Sequence, residues 1–277
     1  MAQNSPVLIT GCSTGIGRYC AGRLRDDGYR VFATARKDAD IDRLKSEGHA
    51  ALYLDYREPD SIRACFDAVM AETGGRLDAL FNNGAHAQPG AVEDLPVEAL
   101  REQFEANFFG WHDLTRLAVP VMRGQGHGRI VHCSSILGLV PAPLRGAYVA
   151  SKYALEGLMT TQRMELEGSG VHVSLIEPGP VPSRLAINAL GFARKYVDIE
   201  NSVHGEAYAK RIAELEAGGT PDDGGRAAGW VYARLRHALA AAKPKPHYLV
   251  TPQARVAVLA RWLLPAGLFY RLAAANS

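Results

Sequence analysis

Four cysteines in 277 residues are too few for a disulfide framework, and Cys12, Cys20, Cys65 and Cys133 form no C-x-x-C pair. Such sparse cysteine fits a reduced, cytoplasmic chain. No uncharged apolar run approaches the roughly 20 residues that a membrane span needs. The first ten residues, Met1–Thr10, have neither a basic start nor an apolar core, so no signal peptide is expected. Neither sign of charge dominates: 31 Lys and Arg face 29 Asp and Glu, for a net +2, and no dense basic block occurs. That balance excludes a nucleic-acid footprint. Nine histidines are present without H-x-H, H-x-x-x-H or H-E-x-x-H spacing, and His127 and His132 merely flank one strand. No metal site is expected. Internal repeats and low-complexity linkers are also missing.

What is present is apolar residue in quantity, 47% of the chain, enough for a sizeable core in one α/β domain. Short apolar runs at Val7–Thr10, Arg30–Thr34, Ala50–Leu54, Leu77–Phe81, Ile130–Cys133 and Val171–Ile176 read as buried strands. Between them, Asp60–Glu72, Val97–Arg123 and Gly146–Glu167 carry apolar residues at helical spacing. Alternation of this kind predicts βαβ units, a parallel sheet and helices on both faces. After Pro178 turn residues thicken, and strand signals fade until His247–Val250. A last helix is predicted from Gln253, broken at Pro265.

The first strand runs straight into Thr10-Gly11-Cys12-Ser13-Thr14-Gly15-Ile16-Gly17, and helical pattern follows at once. Glycines there let the backbone turn sharply and approach a pyrophosphate. The helix start adds unpaired N–H groups and a partial positive charge. Gly11 to Gly15 also fit G-x-S-x-G, the elbow of serine hydrolases. That elbow needs a later acid and histidine in order, and it follows several strands, so the phosphate reading is preferred.

Tyr148 and Lys152 stand four apart within a helical pattern and share one face. A free tyrosine titrates near about 10. An ammonium about 4 Å away, at an effective dielectric of about 20, is worth roughly 4 kcal/mol, or up to about three pKa units. One lysine neighbour is therefore enough in magnitude to activate a tyrosine. Ser135 closes the fifth strand, where open α/β sheets bind ligands, and could orient a substrate oxygen. Ser134 is nearly equal on local chemistry; spacing to Tyr148 favours Ser135.

Together these residues resemble the short-chain dehydrogenase/reductase superfamily. The pattern is T-G-x-x-x-G-I-G at 10–17, Asn-Asn-Gly at 82–84, N-x-x-G at 107–110, Ser135, Tyr-x-Ala-Ser-Lys at 148–152 and Pro-Gly at 178–179. The motifs run in order from about residue 5 to 185. The resemblance implies a doubly wound Rossmann sheet of seven parallel strands in a single domain spanning 1–277. It implies a tetrad: Tyr148 as acid/base, Lys152 lowering its pKa, Ser135 orienting substrate, and Asn107 holding a water beside Lys152. For a nicotinamide cofactor it implies contacts from Gly11, Ser13, Thr14, Gly15, Ile16, Gly17, Asp55, Asn82, Gly84, Tyr148, Lys152, Pro178, Gly179, Val181 and Ser183. Family members have Asn-Asn-Ala-Gly where this chain reads Asn-Asn-Gly-Ala, and Thr where it has Ser183. The runs TGCSTGIG, NNGA and YVASKYALEGL resemble most the branch of 17β-hydroxysteroid and retinol dehydrogenases.

An acid at the end of strand two would select NAD. Here the strand ends Thr34-Ala35-Arg36-Lys37, so Arg36, with Ser13, is expected to hold the 2′-phosphate of NADP(H). The expected function is an NADP(H)-dependent dehydrogenase or carbonyl reductase. Alternatives are a ketoacyl-thioester reductase and a regulator that binds NADP without turnover. Residues 180–220 are expected to form the variable substrate lid. Leu185, Ile187, Leu190, Phe192, Tyr196, Val197 and Ile199, with Leu137 and Pro141–Leu144, suggest a lipophilic substrate such as a steroid, retinoid or fatty aldehyde. His86 and Gln88 either face the pocket or sit in a solvated loop, and Asp222-Asp223 reads as a turn. The 252–277 tail is an amphipathic helix interrupted by Arg255, Arg261 and Arg271. Packing on the core or on a second subunit is the preferred reading; peripheral membrane contact is the other. In related proteins the helices around 98–123 and 146–168 form the dimer face, which implies a homo-oligomer.

Overall fold

Seven strands lie in one sheet in the order β3-β2-β1-β4-β5-β6-β7, every pair parallel. They are β1 (Pro6–Ile9), β2 (Arg30–Ala35), β3 (Ala50–Tyr53), β4 (Ala79–Asn82), β5 (Gly128–Cys133), β6 (Val171–Glu177) and β7 (His247–Leu249). Each of the seven expected strands is found within one or two residues of its predicted limits. The structure is a computed structural model and describes residues 3–182, 184–217 and 223–275.

The helices are α1 (Gly15–Asp26), α2 (Asp38–Ser46), α3 (Pro59–Thr73), α4 (Val97–Phe104), α5 (Gly110–Gln125), α6 (Gly146–Glu165), α7 (Leu185–Tyr196), α8 (Gly205–Glu216), α9 (Arg226–Ala240), α10 (Pro252–Leu263) and α11 (Ala266–Ala275). They pack in groups over the sheet: α1 against α9, α3 against α5, and α4 against α6. The central strands are buried on both sides, as their continuous apolar runs require; Val7, Leu8, Ile9, Leu80 and Phe81 are fully enclosed. Each such side chain contributes about 1.5–3 kcal/mol of burial. All four cysteines are free and buried among these elements.

Two predicted helices came out differently. The stretch Val97–Arg123 is divided into α4 and α5 by a π-helical turn, Glu105–Phe109, which carries Asn107. Such turns shift the phase of a helix and re-aim its side chains. In the tail, α10 and α11 meet at Pro265 as expected, but they bury only Ala254 and Phe269. The tail's contact with the core is slight: Arg261 donates to the Leu139 carbonyl at 2.7 Å, while Trp262 is 81% and Leu263 71% exposed. Asp223 does act as a turn residue. Its carboxylate accepts from the main-chain N–H of Gly225 and of Ala227, capping α9. Asp222 lies outside the described residues, as does Ser183. No helix among the described residues is long and apolar enough to cross a membrane.

The strand order reverses between β1 and β4. Ligands of open α/β sheets bind at the carboxyl ends of the strands beside such a switch point.

Candidate active site

A cavity of about 670 Å³ opens at that point. At one end it is lined by Gly11, Ser13, Thr14, Gly15 and Ile16; Ser135, Tyr148 and Lys152 also face it. Arg36, Asp55, Gly84, Pro178, Gly179 and Val181 complete the wall on that side. Residues from seven separate stretches of sequence thus meet in one space.

The turn after β1 is built for close approach. Gly11 has φ +68°, and a Cβ there would sit 2.4 Å from Gly84 Cα. Gly17 does not reach the cavity. It lets α1 pack down on the turn, since a Cβ would fall 2.3 Å from the Gly11 carbonyl oxygen. Thr14 is the N-cap of α1 but makes no side-chain capping bond, and the first turn has no acid. Its leading N–H groups therefore lack a side-chain partner beside the cavity. Such a helix start attracts an anion. Arg36, with a side chain 48% exposed, lines the same end, 3.7 Å from Asp55 Oδ2. Asp55 is itself clamped by Arg57, which donates to both carboxylate oxygens at 3.1 and 2.6 Å. These donors fit the phosphates of a dinucleotide.

Asn82 is expected in the cofactor wall, but Asn83 lines the cavity and Asn82 does not. Asn82 is fully buried. Its Oδ1 accepts from Tyr56 Oη at 2.6 Å and its Nδ2 donates to Thr115 Oγ1 at 3.0 Å. Asn83 lines the cavity and donates from Nδ2 to the Thr10 carbonyl at 3.0 Å, while Thr10 Oγ1 accepts from the main-chain N–H of Asn83 and Gly84. A central strand leaves its last inward-facing side chain in the core, so the following residue is the one exposed to ligand.

Tyr148 and Lys152 share the buried face of α6, as their spacing requires. Lys152 Nζ donates to the Cys133 carbonyl at 2.9 Å and lies 4.2 Å from the centre of the Trp111 ring. A desolvated ammonium over an indole gains about 2 kcal/mol, which offsets part of its burial. Burial still brings Lys152 down to about 8. Burial holds the Tyr148 phenol above its usual range, and a hydrogen bond with Ser135 opposes that shift. The lysine's charge is committed to Cys133 and Trp111, and its Nζ is 5.7 Å from the phenol ring centre. The two serines separate clearly: Ser135 faces Tyr148, whereas Ser134 faces Glu156.

Asn107 is fully buried and does not line the cavity. Its Oδ1 accepts from the His86 N–H at 3.1 Å and its Nδ2 donates to the His86 carbonyl at 2.8 Å. The side chain is thus used to fix the loop after β4. A water beside Lys152 would have to be held by main-chain atoms of the π turn. His86, fixed this way, lines the cavity and stacks on Phe192 at 4.1 Å. Burial lowers it to about 4, so it is neutral. Gln88 lines the cavity too.

Several participants escaped the sequence reading. Trp111 braces Lys152 and donates from Nε1 to the Gly84 carbonyl at 2.8 Å. It stands one turn beyond Asn107 on the same helical stretch, a spacing that could have flagged it. Glu156, one turn beyond Lys152, meets Glu177 and His247, their ligand atoms within 4.8 Å of one another. Glu177 accepts from His247 at 2.8 Å, and Glu156 is pushed up to about 7, first by burial and then by the charge of Glu177. The three come from α6, β6 and β7, so no sequence spacing announces them.

Helices α7 and α8 lie over the other end of the cavity. Of the apolar lid residues singled out, Leu185 lines it. Val197 and Ile199 pack instead with Ala91 and Tyr208 in a satellite cluster. Tyr196 Oη donates to Glu102 at 2.6 Å, and Ile187 is exposed. Leu137 lines the cavity; Pro141–Leu144 do not. Helix α8 adds Leu215 and the ion pair Arg211–Glu214, at 2.8 Å.

Comparison with known proteins agrees with this geometry. The sequence profile of the short chain dehydrogenase family matches residues 5–190. The chain is 39% identical over 260 residues to an uncharacterized oxidoreductase, YbbO, of Escherichia coli (strain K12), covering 94% of this chain and 90% of that one. It is 30% identical to an NADPH-dependent 3-dehydrocapnine reductase of Ornithobacterium rhinotracheale, over 93% and 92% of the two chains. It is also 35% identical to human 17-beta-hydroxysteroid dehydrogenase type 1, over 69% and 61%. A solved short-chain dehydrogenase from Streptomyces avermitilis superposes with a TM-score of 0.77 at 27% identity, covering 94% and 93%. Sheet order, cavity and sequence lead to one assignment: this chain belongs to the short chain dehydrogenase family of oxidoreductases.

Proposed function

We propose that the protein is an NADP(H)-dependent oxidoreductase that interconverts an alcohol with a ketone or aldehyde, on a substrate with a lipophilic body. The observation that carries this reading is the presence of Ser135, Tyr148 and Lys152 in the same cavity as the uncapped start of α1. When bound, the nicotinamide supplies or receives the hydride. Gly11 to Ile16, at the start of α1, would hold the phosphates, and Asp55, Asn83, Gly84, Pro178, Gly179 and Val181 would wall the cofactor. Tyr148 would donate its phenolic proton to the carbonyl oxygen, or take it back from the alcohol. Ser135 would hold that oxygen, and Lys152 would stabilise the phenolate that results. Arg36 supports NADP(H) over NAD(H), because it lines the end where β2 stops and no carboxylate follows Ala35 directly. The NADPH-dependent relative supports the same choice.

A screen of NADPH oxidation against ketosteroids, retinal, aliphatic aldehydes and acetoacetyl thioesters tests the proposal. Turnover with one class, lowered about 10²–10⁴-fold by Tyr148→Phe, is the expected result. Full activity in that variant would sink the assignment of the proton donor. Preference for the thioesters would favour the ketoacyl-thioester reductase. NADPH binding without turnover of any compound would favour the regulator.

We further propose a cytoplasmic homo-oligomer. Val97, Phe109 and Met164 on α4 to α6 are large, apolar and exposed, as are Trp262 and Leu263 in the tail. Sedimentation of the intact chain and of one ending before Gln253, with and without anionic vesicles, separates subunit contact from membrane contact.

A further inference from the structure

The far end of the cavity contains a cation that has no ion-pair partner among the described residues. Arg145 precedes α6 and stands one turn before Tyr148, on the side away from Lys152. It is partly buried and lines the cavity. Among the described residues, no ion pair or side-chain hydrogen bond engages its guanidinium. The backbone is arranged to put it there. Leu144 takes the left-handed conformation, φ 57°, which a leucine rarely adopts. Gly90 N–H donates to the Leu144 carbonyl at 2.9 Å, and Gly90 and Arg145 form an isolated parallel bridge.

Arg211 of α8 enters the same space, paired with Glu214. Two arginines against one glutamate leave a local charge of +1. Burial and the charge of Arg211 both disfavour the Arg145 cation. Glu214 offsets this only in part, because it is already paired with Arg211, and the remaining neighbours in the wall, Leu137, Leu185 and Leu215, are apolar. A buried unpaired charge is costly unless a ligand pairs with it. Phosphates of a dinucleotide do not fill this role, because their donors lie at the opposite end, around Gly11 to Gly17.

We propose that Arg145 is a specificity residue that binds an anionic group of the substrate. The protein then acts on a carbonyl compound bearing both an apolar chain and a carboxylate or similar oxyanion group. This inference rests on the oxidoreductase reading above and narrows its substrate class.

The test compares 4-oxododecanoate with its methyl ester under saturating NADPH, in the wild type, Arg145→Met and Arg145→Lys. Wild type is expected to favour the acid at least tenfold in kcat/KM. The ratio should fall to near one in Arg145→Met and recover in part in Arg145→Lys. Equal rates for acid and ester in the wild type, or a ratio that survives in Arg145→Met, would overturn the proposal. Calorimetric titration of 4-oxododecanoate into the NADPH-loaded protein provides a readout independent of turnover. Binding at least tenfold weaker in Arg145→Met supports the subsite, and equal binding overturns it. Arg145-dependent binding with no turnover of any carbonyl compound would strike the oxidoreductase reading alone. Turnover of the ester without preference for the acid would strike the subsite alone.

Discussion

The two ends of the cavity are made in opposite ways. The end beside α1 is built mainly from main-chain atoms and glycines within one short stretch, Gly11 to Gly17, closed by Asn83 and Gly84. The end beneath α7 and α8 is built from side chains that meet across long separations: His86, Arg145, Leu185, Arg211 and Leu215. Backbone donors at a helix start recognise any phosphate, so the first end suits a ligand shared by many proteins. Side chains on movable elements recognise one shape and charge, so the second end suits a ligand particular to this protein. The difference teaches where variation can occur without loss of chemistry.

The largest effect should come from breaking the glycine end. Gly17→Ala places a methyl 2.3 Å from the Gly11 carbonyl oxygen, whereas Gly22 on the same helix has nothing within 4 Å of a built Cβ. Gly17→Ala should weaken NADPH binding by a hundredfold or more and lower the melting temperature, as overpacking costs about 1–3 kcal/mol. Gly22→Ala should instead stabilise by about 0.5–1 kcal/mol through helix propensity. Fluorescence titration and thermal melts read both; equal behaviour of the two variants would break the comparison.

A smaller effect sharpens it. Arg36 is the charged side chain at the glycine end that we propose selects NADP(H). Arg36→Ala should cut kcat/KM for NADPH by about 10–100-fold, the range expected for a lost charge-assisted hydrogen bond of about 1.5–3 kcal/mol. The value for NADH should change little, and Ala35→Asp should move preference the same way. A wild type that prefers NADH would remove the reason for the experiment and the assignment with it.

The smallest effect lies at the side-chain end. Burial lowers His86 to about 4 and His132 to about 3. In the unfolded chain both bind a proton near about 6.5. Between these limits the unfolded state holds more protons, so their contribution is complete above about 6.5 and is lost as pH falls toward about 4. Each histidine should add about 1.4 kcal/mol of stability per pH unit across that window. His86→Phe keeps the stack on Phe192 and removes one titration, so its urea midpoint should fall less steeply between pH 6.5 and 4.5. An unchanged slope would show that His86 is not held neutral.

Much of the fold was legible because its signals are local. Seven apolar runs became seven strands, and the turn after Ile9 fell where its glycines placed it. Parts of the site were legible for the same reason: Tyr148 and Lys152 lie on one helix, and helical periodicity alone puts them on one face. Asn82 is expected beside the cofactor, but the register at the end of β4 decides which of two adjacent asparagines faces the cavity, and it is Asn83. Asn107 is expected to hold a water beside Lys152; its side-chain amide holds the main chain of His86, which leaves that water to main-chain atoms of the π turn. The lid's apolar residues look like a substrate wall, yet Leu185 lines the cavity whereas Val197 and Ile199 pack with Ala91 and Tyr208.

The sequence by itself determined the sheet, the phosphate turn, and the pairing of a tyrosine with a lysine, since each follows from spacing along a few residues. The tertiary structure alone decided the rest. It set Lys152 against Trp111 and Cys133, brought Glu156, Glu177 and His247 together from three elements, and left Arg145 without an ion-pair partner among the described residues at the far end of the cavity. The physical reason is that burial and charge pairing are properties of a place, and that place is created only when distant segments close around it.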